Sequence, residues 1–140
     1  MKKQIATLVV LVLLPIVINA QHIGTGLGYH TIAAKSDGTV YTWGGNGSGQ
    51  LGNVSNADSY FPVAVYTYET PMAGKTITQV AAGENHSIAL ASDGTVYTWG
   101  GNGSGQLGNG SNTNYNFPLA ALYIWNTNGW QDNHTGCCWI

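Results

Sequence analysis

The chain has 140 residues, 44% of them hydrophobic, 7% charged and 20 of them glycine, with a formal net charge of −2. That length allows one modest domain at most. Lys2 and Lys3 lie in the first twenty residues; beyond them only Lys35 and Lys75 remain, with no arginine, against Asp37, Asp58, Glu69, Glu84, Asp93 and Asp132. Nucleic-acid binding relies on cations that neutralise phosphates, and two lysines supply no basic face, so DNA and RNA are excluded as partners.

The first element is a targeting segment. Lys2 and Lys3 precede an apolar run from Ile5 to Ile18 and then Asn19-Ala20, the pattern of a secretory signal peptide cleaved before Gln21. A bilayer span needs about 20 apolar residues, and this run is shorter and breaks into polar, glycine-rich sequence. Residues 1–20 are therefore expected to be a signal peptide, the product exported to the periplasm, cell surface or medium, and no stable membrane span left after cleavage.

An internal repeat follows. Residues 36–53, SDGTVYTWGGNGSGQLGN, recur unchanged as residues 92–109, an offset of 56. The likeness extends outward at the same offset, His30 matching His86, Ile32 matching Ile88, Ala33 matching Ala89, Phe61 matching Phe117 and Pro62 matching Pro118. Units of this size bury their apolar face only against a neighbouring copy. The expected division is a first repeat over 21–65, a second over 66–121 and an atypical tail over 122–140.

In the second copy Ser87-Ile88-Ala89-Leu90 alternates, Ser92-Asp93-Gly94 turns the chain, and Thr95-Val96-Tyr97-Thr98-Trp99 alternates again. Asp-Gly between alternating runs signals a hairpin, because glycine supplies positive φ without a Cβ clash. Ile77-Thr78-Gln79-Val80-Ala81 reads as a third strand, and Val63-Ala64-Val65-Tyr66 after Pro62 as a fourth. No segment has a sustained helical period. Four short antiparallel strands per unit make a propeller blade, so the fold class is all-β.

Several stretches resemble chemical motifs. Gly47 to Gly52 and Gly103 to Gly108 satisfy G-x-G-x-x-G, but that fingerprint works only between a parallel strand and a helix N-terminus. Here the glycines follow a hairpin strand with no helix behind them, so they read as loop geometry; with no lysine after them, a P-loop is excluded. His30 and His86 hold equivalent places in successive units, which points to structural roles, and no serine, cysteine or carboxylate pattern makes a triad. Asn46-Gly-Ser and Asn85-His-Ser fit the glycosylation sequon and arise readily in so Asn- and Ser-rich a chain.

Gly83-Glu84-Asn85-His86, Asp93-Gly94, Val96-Tyr97-Thr98-Trp99-Gly100, Asn102, Gly105-Gln106-Leu107-Gly108 and Pro118 stand in the order typical of the regulator of chromosome condensation repeat family, which the chain resembles over residues 28 to about 121. The motif positions are His30, Asp37, Gly38, Trp43, Gly44, Gln50, Leu51 and Gly52 in the first copy. In the second they are Gly83, His86, Asp93, Gly94, Trp99, Gly100, Gln106, Leu107 and Gly108. The first copy departs at one place, where Leu27 occupies the position of the first motif glycine between Gly26 and Gly28. The resemblance implies a seven-bladed β-propeller, of which this chain holds about two blades, an incomplete ring. WD-type repeats want Trp-Asp where this chain has Trp-Gly, and kelch repeats place their glycine pair before their aromatics, so both fit less well.

The tail holds Cys137 and Cys138 beside His134 and Asp132, superficially a metal or redox site. Back-translated with degenerate codons and regrouped one base over, residues 128–140 can encode Met-Ala-Gly-Lys-Thr-Ile-Thr-Gln-Val-Ala-Ala-Gly, the sequence of residues 72–83. The same regrouping from Leu122 gives Tyr-Thr-Tyr-Gly-Thr-Pro, which differs from residues 66–71 only at Glu69. The unambiguous Trp codons and paired Cys codons constrain the frame, so the tail reads as a third repeat out of frame, shifted near the codon for Ala121. In the restored frame it holds no cysteine, and no disulfide or thiol site follows from the pair. A tail not shaped for packing is expected to be poorly ordered.

These features point to an exported, non-enzymatic protein-interaction or scaffold module, with no catalytic, cofactor or metal site and an unidentified protein partner. It reads as a non-functional fragment of a longer propeller. The resemblance implies protein binding, since nuclear members of the family are guanine-nucleotide exchange factors and secreted bacterial members include an enzyme inhibitor. The signal peptide and scarcity of basic residues argue against carrying the exchange activity over. The alternatives are a propeller domain of a longer exported enzyme and a secreted enzyme inhibitor.

Overall fold

The computed structural model describes residues 20–121, 124–126 and 129–131. Two four-stranded antiparallel sheets follow one another in the chain. The first contains β1 (Ala20–Thr25), β2 (His30–Lys35), β3 (Val40–Gly44) and β4 (Ser59–Ala64), and the second β5 (Ile77–Ala82), β6 (His86–Ala91), β7 (Val96–Gly100) and β8 (Tyr115–Ala120). In each sheet spatial order equals chain order. Short β9 (Ile124–Asn126) and β10 (Gly129–Gln131) pair antiparallel with each other. The rest of the tail, and the Ile5–Ile18 apolar run, lie outside the described residues, as do Cys137 and Cys138.

The local causes match in the two blades. β2 pairs with β3 from His30↔Gly44 to Ala34↔Val40, and β6 with β7 from His86↔Gly100 to Leu90↔Val96. The hairpin turns place Gly38 at φ 82° and Gly94 at φ 86°. Asp37 Oδ1 accepts from the Thr39 amide and Asp93 Oδ1 from the Thr95 amide, the Asx turn that competes with straight strand. Both lysines beyond residue 20 serve these turns: Lys35 donates to Asp37 at 2.8 Å, and Lys75, from the segment leading into β5, to Asp93 at 2.7 Å.

The fourth strand differs from expectation. A strand over Val63–Tyr66 was expected to lie upstream in the second unit; instead β4 runs Ser59–Ala64 and pairs with β3, Tyr41↔Ala64 and Thr42↔Val63, as β8 pairs with β7. Each blade is thus completed by the strand after its aromatic strand. Pro62 and Pro118 sit in these outermost strands, where a missing N–H costs no ladder bond.

The first loop of the first blade is one residue longer than its counterpart. β1 pairs Gly24↔Ile32 and Thr25↔Thr31, whereas β5 pairs Ala81↔Ile88 and Ala82↔Ser87. The leading strands are therefore offset by 57 residues and the second strands by 56. Gly26, not Leu27, is the register counterpart of Gly83. Leu27 belongs to the longer loop and is 98% exposed.

The core lies between the blades. β2 contributes Ile32 and Ala34 from one face of its pleat, β6 contributes Ala89 and Ala91 from the opposite face of its own, and Val40, Val65, Met72, Ile77, Tyr97, Trp99 and Ala120 complete the cluster. Small alanines let the two sheets approach closely. Each large apolar side chain buried there contributes about 1.5–3 kcal/mol, so neither blade keeps its core without the other.

Candidate functional site

The repeated glycine stretch forms a long loop on each blade, built around one asparagine. Asn46 is fully buried; its Nδ2 donates to Asn53 Oδ1 and to the carbonyls of Ser55 and Ala57, and its Oδ1 accepts from the Leu51 amide. Asn102 does the same with Asn109, Ser111, Thr113 and Leu107. Leu51 and Leu107 are buried beneath, and their carbonyls accept from Thr42 Oγ1 and Thr98 Oγ1 at 2.7 Å. Several of the loop's amides are spent internally, Ser48 N on Gln50 Oε1, Gly49 N on Asn46 O, Leu51 N on Asn46 Oδ1 and Gly52 N on Gly49 O. A cradle for phosphate needs free amides, and this loop uses these four to hold its shape.

That loop from the first blade docks on the second. The Gln50 carbonyl oxygen accepts from Ser87 Oγ at 2.8 Å and from Trp99 Nε1 at 2.9 Å. His30 Nε2 lies 2.9 Å from Ser87 Oγ. Because the serine's one hydrogen is committed to Gln50, His30 must donate through Nε2, and its buried Nδ1 is left without a partner. A second proton on Nδ1 would find no acceptor. Burial, aided by His86, pushes the His30 pKa down, and burial does the same to His86. Val54 N donates to Asn116 O, and Asn116 Nδ2 to Asn56 Oδ1, across the same junction.

The other motif residues take supporting places. Gly44 and Gly100, opposite His30 and His86, have φ of 105° and 103°. Gly83 lies against the His86 imidazole, where a Cβ would collide with the ring. Trp43 is half-buried on the outer face of the first blade, while Trp99 is fully buried in the junction. Gln106 Oε1 accepts from the Ser104 amide. The sequence pattern marks Asn102 only as a motif position and does not mark Asn46; the weight of both comes from bonds to residues seven to eleven positions onward, invisible as spacing.

The two ends of the sheets differ chemically. The end carrying the β2–β3 and β6–β7 turns holds both lysine–aspartate pairs. Asp93 is drawn down to about 2 by its bond to Lys75, and Asp37 lies further below the usual carboxylate range beside Lys35. The opposite end carries the Gly-Asn-Ser loops, together with Leu27 and Tyr29, 98% and 92% exposed. Among the described residues no group of three or more His, Cys, Asp or Glu side chains could hold a metal ion, and no helix is long and apolar enough to cross a membrane.

The sequence model of the Regulator of chromosome condensation (RCC1) repeat matches residues 37–90 and 93–122, and a second model of the same repeat matches 21–50 and 77–106. The chain is 33% identical over 92 residues to the human E3 ubiquitin-protein ligase HERC2, covering 66% of this chain and 2% of that protein. It is 34% identical over 119 residues to the ultraviolet-B receptor UVR8 of Arabidopsis thaliana, covering 79% of this chain and 26% of that one. It is 38% identical over 91 residues to the mitochondrial RCC1 domain-containing protein RUG3 of the same plant, covering 65% and 20%. Among solved structures, human WBSCR16 superposes with a TM-score of 0.65 at 24% identity, over 72% of this chain and 25% of that one. Yeast RCC1 (Prp20), in its complex with Kap60, superposes with a TM-score of 0.63 at 23% identity, over 82% and 26%. The chain spans about a quarter or less of these relatives. With its repeat motifs seated in two consecutive blades of a propeller, the chain belongs to the RCC1 repeat family.

Proposed function

We propose that the chain is an exported, non-enzymatic module that binds a protein partner through the end of the blades carrying the long loops. The observation that carries this reading is the pair Leu27 and Tyr29, nearly fully exposed on a loop lengthened by one residue and flanked by loops rich in Asn, Ser and Gly. An aromatic and an aliphatic anchor among adaptable polar groups suits a protein contact. Loops held rigid by their own buried asparagines lose little entropy on binding. Export rests on the Lys2-Lys3 and Ile5–Ile18 pattern.

The two halves of the proposal are tested separately. Expressed from its full sequence in a bacterial host, the chain is expected outside the cytoplasm with Gln21 as its first residue by mass spectrometry; cytoplasmic retention with Met1 intact refutes export. A photo-crosslinking residue at Tyr29 should capture a saturable protein partner, lost in a Leu27→Ser, Tyr29→Ser double variant. Capture undiminished in that variant, or none from exported proteins, refutes the binding surface.

A further inference from the structure

Residues 36–53 and 92–109 are identical in sequence, yet their surroundings differ because, among the described residues, the first copy meets a following blade and the second does not. A Cβ on Gly38 would lie 3.1 Å from Ile77 N, on Gly49 2.6 Å from Asn116 Cβ, and on Gly52 2.6 Å from Trp99 Nε1. At the counterparts Gly94, Gly105 and Gly108, nothing among the described residues comes closer than 3.9 Å. The opposite face shows the reverse asymmetry. Trp99 is fully buried and Trp43 only half; Pro118 is buried and Pro62 exposed; Phe117 is half-buried and Phe61 78% exposed. Tyr60, the counterpart of Asn116, is 92% exposed.

The two blades thus show both halves of one junction, each also present without an occupant among the described residues. The second blade's outer face offers the Gln106 carbonyl, His86 and an apolar groove of Ala81, Ile88 and Leu90. The first blade's outer face offers the Trp43 indole and the Thr31 hydroxyl, cross-strand neighbours as Trp99 and Ser87 are. We propose that the chain associates head-to-tail with a second copy of itself, the Asn102–Asn114 loop of one copy docking on Trp43 and Thr31 of the next. Trp43 Nε1 and Thr31 Oγ1 then donate to the Gln106 carbonyl, and His86 donates to Thr31, as Trp99, Ser87, Gln50 and His30 do within one chain.

The substitutions across the repeat keep most of the needed groups. Thr31 retains the hydroxyl of Ser87. Tyr60 replaces Asn116, keeping the backbone carbonyl that accepts from Val54 N and losing the side-chain amide that donates to Asn56, and Gly110 replaces Val54, whose φ of 62° a glycine adopts more readily. Lys35 in place of Ala91 and Leu90 in place of Ala34 alter the packing, so the junction between chains is weaker than the internal one. A heterologous contact of this kind propagates until it closes. Two-bladed copies close only on an even number of blades, so a ring within the four to eight blades of propellers takes two to four copies and departs from the seven that the resemblance implies.

The test is sedimentation of the chain expressed from its full 140-residue sequence, with reductant present so that links through Cys137 or Cys138 are not counted. The weight-average mass is expected to rise with concentration to a discrete species of two to four chains. Trp43→Ala removes one half of the junction, and Gly108→Asn blocks the other at a positive φ that asparagine tolerates. Each alone should weaken association by about tenfold or more, as loss of an aromatic anchor does. Mixed, the two variants retain one intact half each and should form a one-to-one heterodimer and nothing larger. That complementation also shows that both variants fold. A wild-type chain that stays monomeric, as it would if its own tail covered these faces, overturns the proposal. So does assembly unchanged in both variants, which would mean association through the exposed β4 edge.

Discussion

Trp99 Nε1 donates to the carbonyl oxygen of Gln50, 49 residues earlier in the chain, at 2.9 Å. Its twin Trp43, in an identical eighteen-residue stretch, has no such bond among the described residues. In amide and indole exchange measured by NMR, the Trp99 indole hydrogen should therefore be protected and the Trp43 one should exchange faster. Trp99→Phe should weaken the junction by about 1 kcal/mol, the net worth of a buried hydrogen bond, and Trp43→Phe should have no measurable effect in the monomer. Equal protection of both indoles contradicts this.

Gly52 and Gly108 provide a matched pair. Both have positive φ, 66° and 62°, so alanine at either costs about 1 kcal/mol of backbone strain. Only at Gly52 would the new Cβ also lie 2.6 Å from the Trp99 ring. Gly52→Ala should cost a further 1–3 kcal/mol, roughly the range for overpacking, read from the loss of exchange protection at the Trp99 indole and the Val54 amide. Equal protection in the two variants would mean that this glycine does not gate the junction.

Asn46 satisfies three acceptors and one donor from a fully buried position. Asn46→Asp keeps the shape but replaces the donating amide with acceptors facing the Ser55 and Ala57 carbonyls. Each group left unpaired costs about 1–3 kcal/mol, so Asn46→Asp should be at least as damaging as Asn46→Ala. The loop should lose amide protection at Leu51 in both. A tolerated aspartate would show that the loop holds itself together by other means.

The junction should weaken in mild acid. The folded pKa of His30 is lowered by burial, so the unfolded chain binds a proton near pH 6.5 while the folded one resists. The histidine's contribution is intact above that pH and is lost as pH falls toward the depressed folded value. His86 shifts in the same direction. Loss of Trp99 burial, followed by fluorescence, should begin below about pH 6.5, with His30→Gln reducing the pH dependence and leaving the His86 part. A second loss, below the ordinary carboxylate range, belongs to Asp37 and Asp93, whose folded values are depressed by Lys35 and Lys75. A signal flat down to pH 4 would contradict the first window.

At concentrations where the chain is monomeric, two blades provide one junction and two outer faces, and repeat arrays need about three units for a continuous core. Calorimetry of the isolated monomer should show no sharp cooperative transition. A sharp one would mean that the single junction suffices.

Much of this was legible along the chain because its causes are local. Asp93-Gly94 between alternating runs specifies the hairpin, and the repeat of 36–53 at 92–109 specifies that whatever one blade does the other does too. The same repeat could not show which copy is buried: Trp43 and Trp99 have identical neighbours in sequence and different ones in space. Nor could it place the fourth strand, since Pro62 forbids only a central position and pairing with β3 decides to which blade β4 belongs. The extra residue at Leu27 was likewise hidden, because a fixed offset aligns side chains, while strand register is set by the hydrogen bonds between β1 and β2. Local turn chemistry and strand period thus determined the blade from sequence alone. Contacts between residues some fifty positions apart, Gln50 with Trp99 and His30 with Ser87, decided how two like blades became an oriented pair with one buried junction between them.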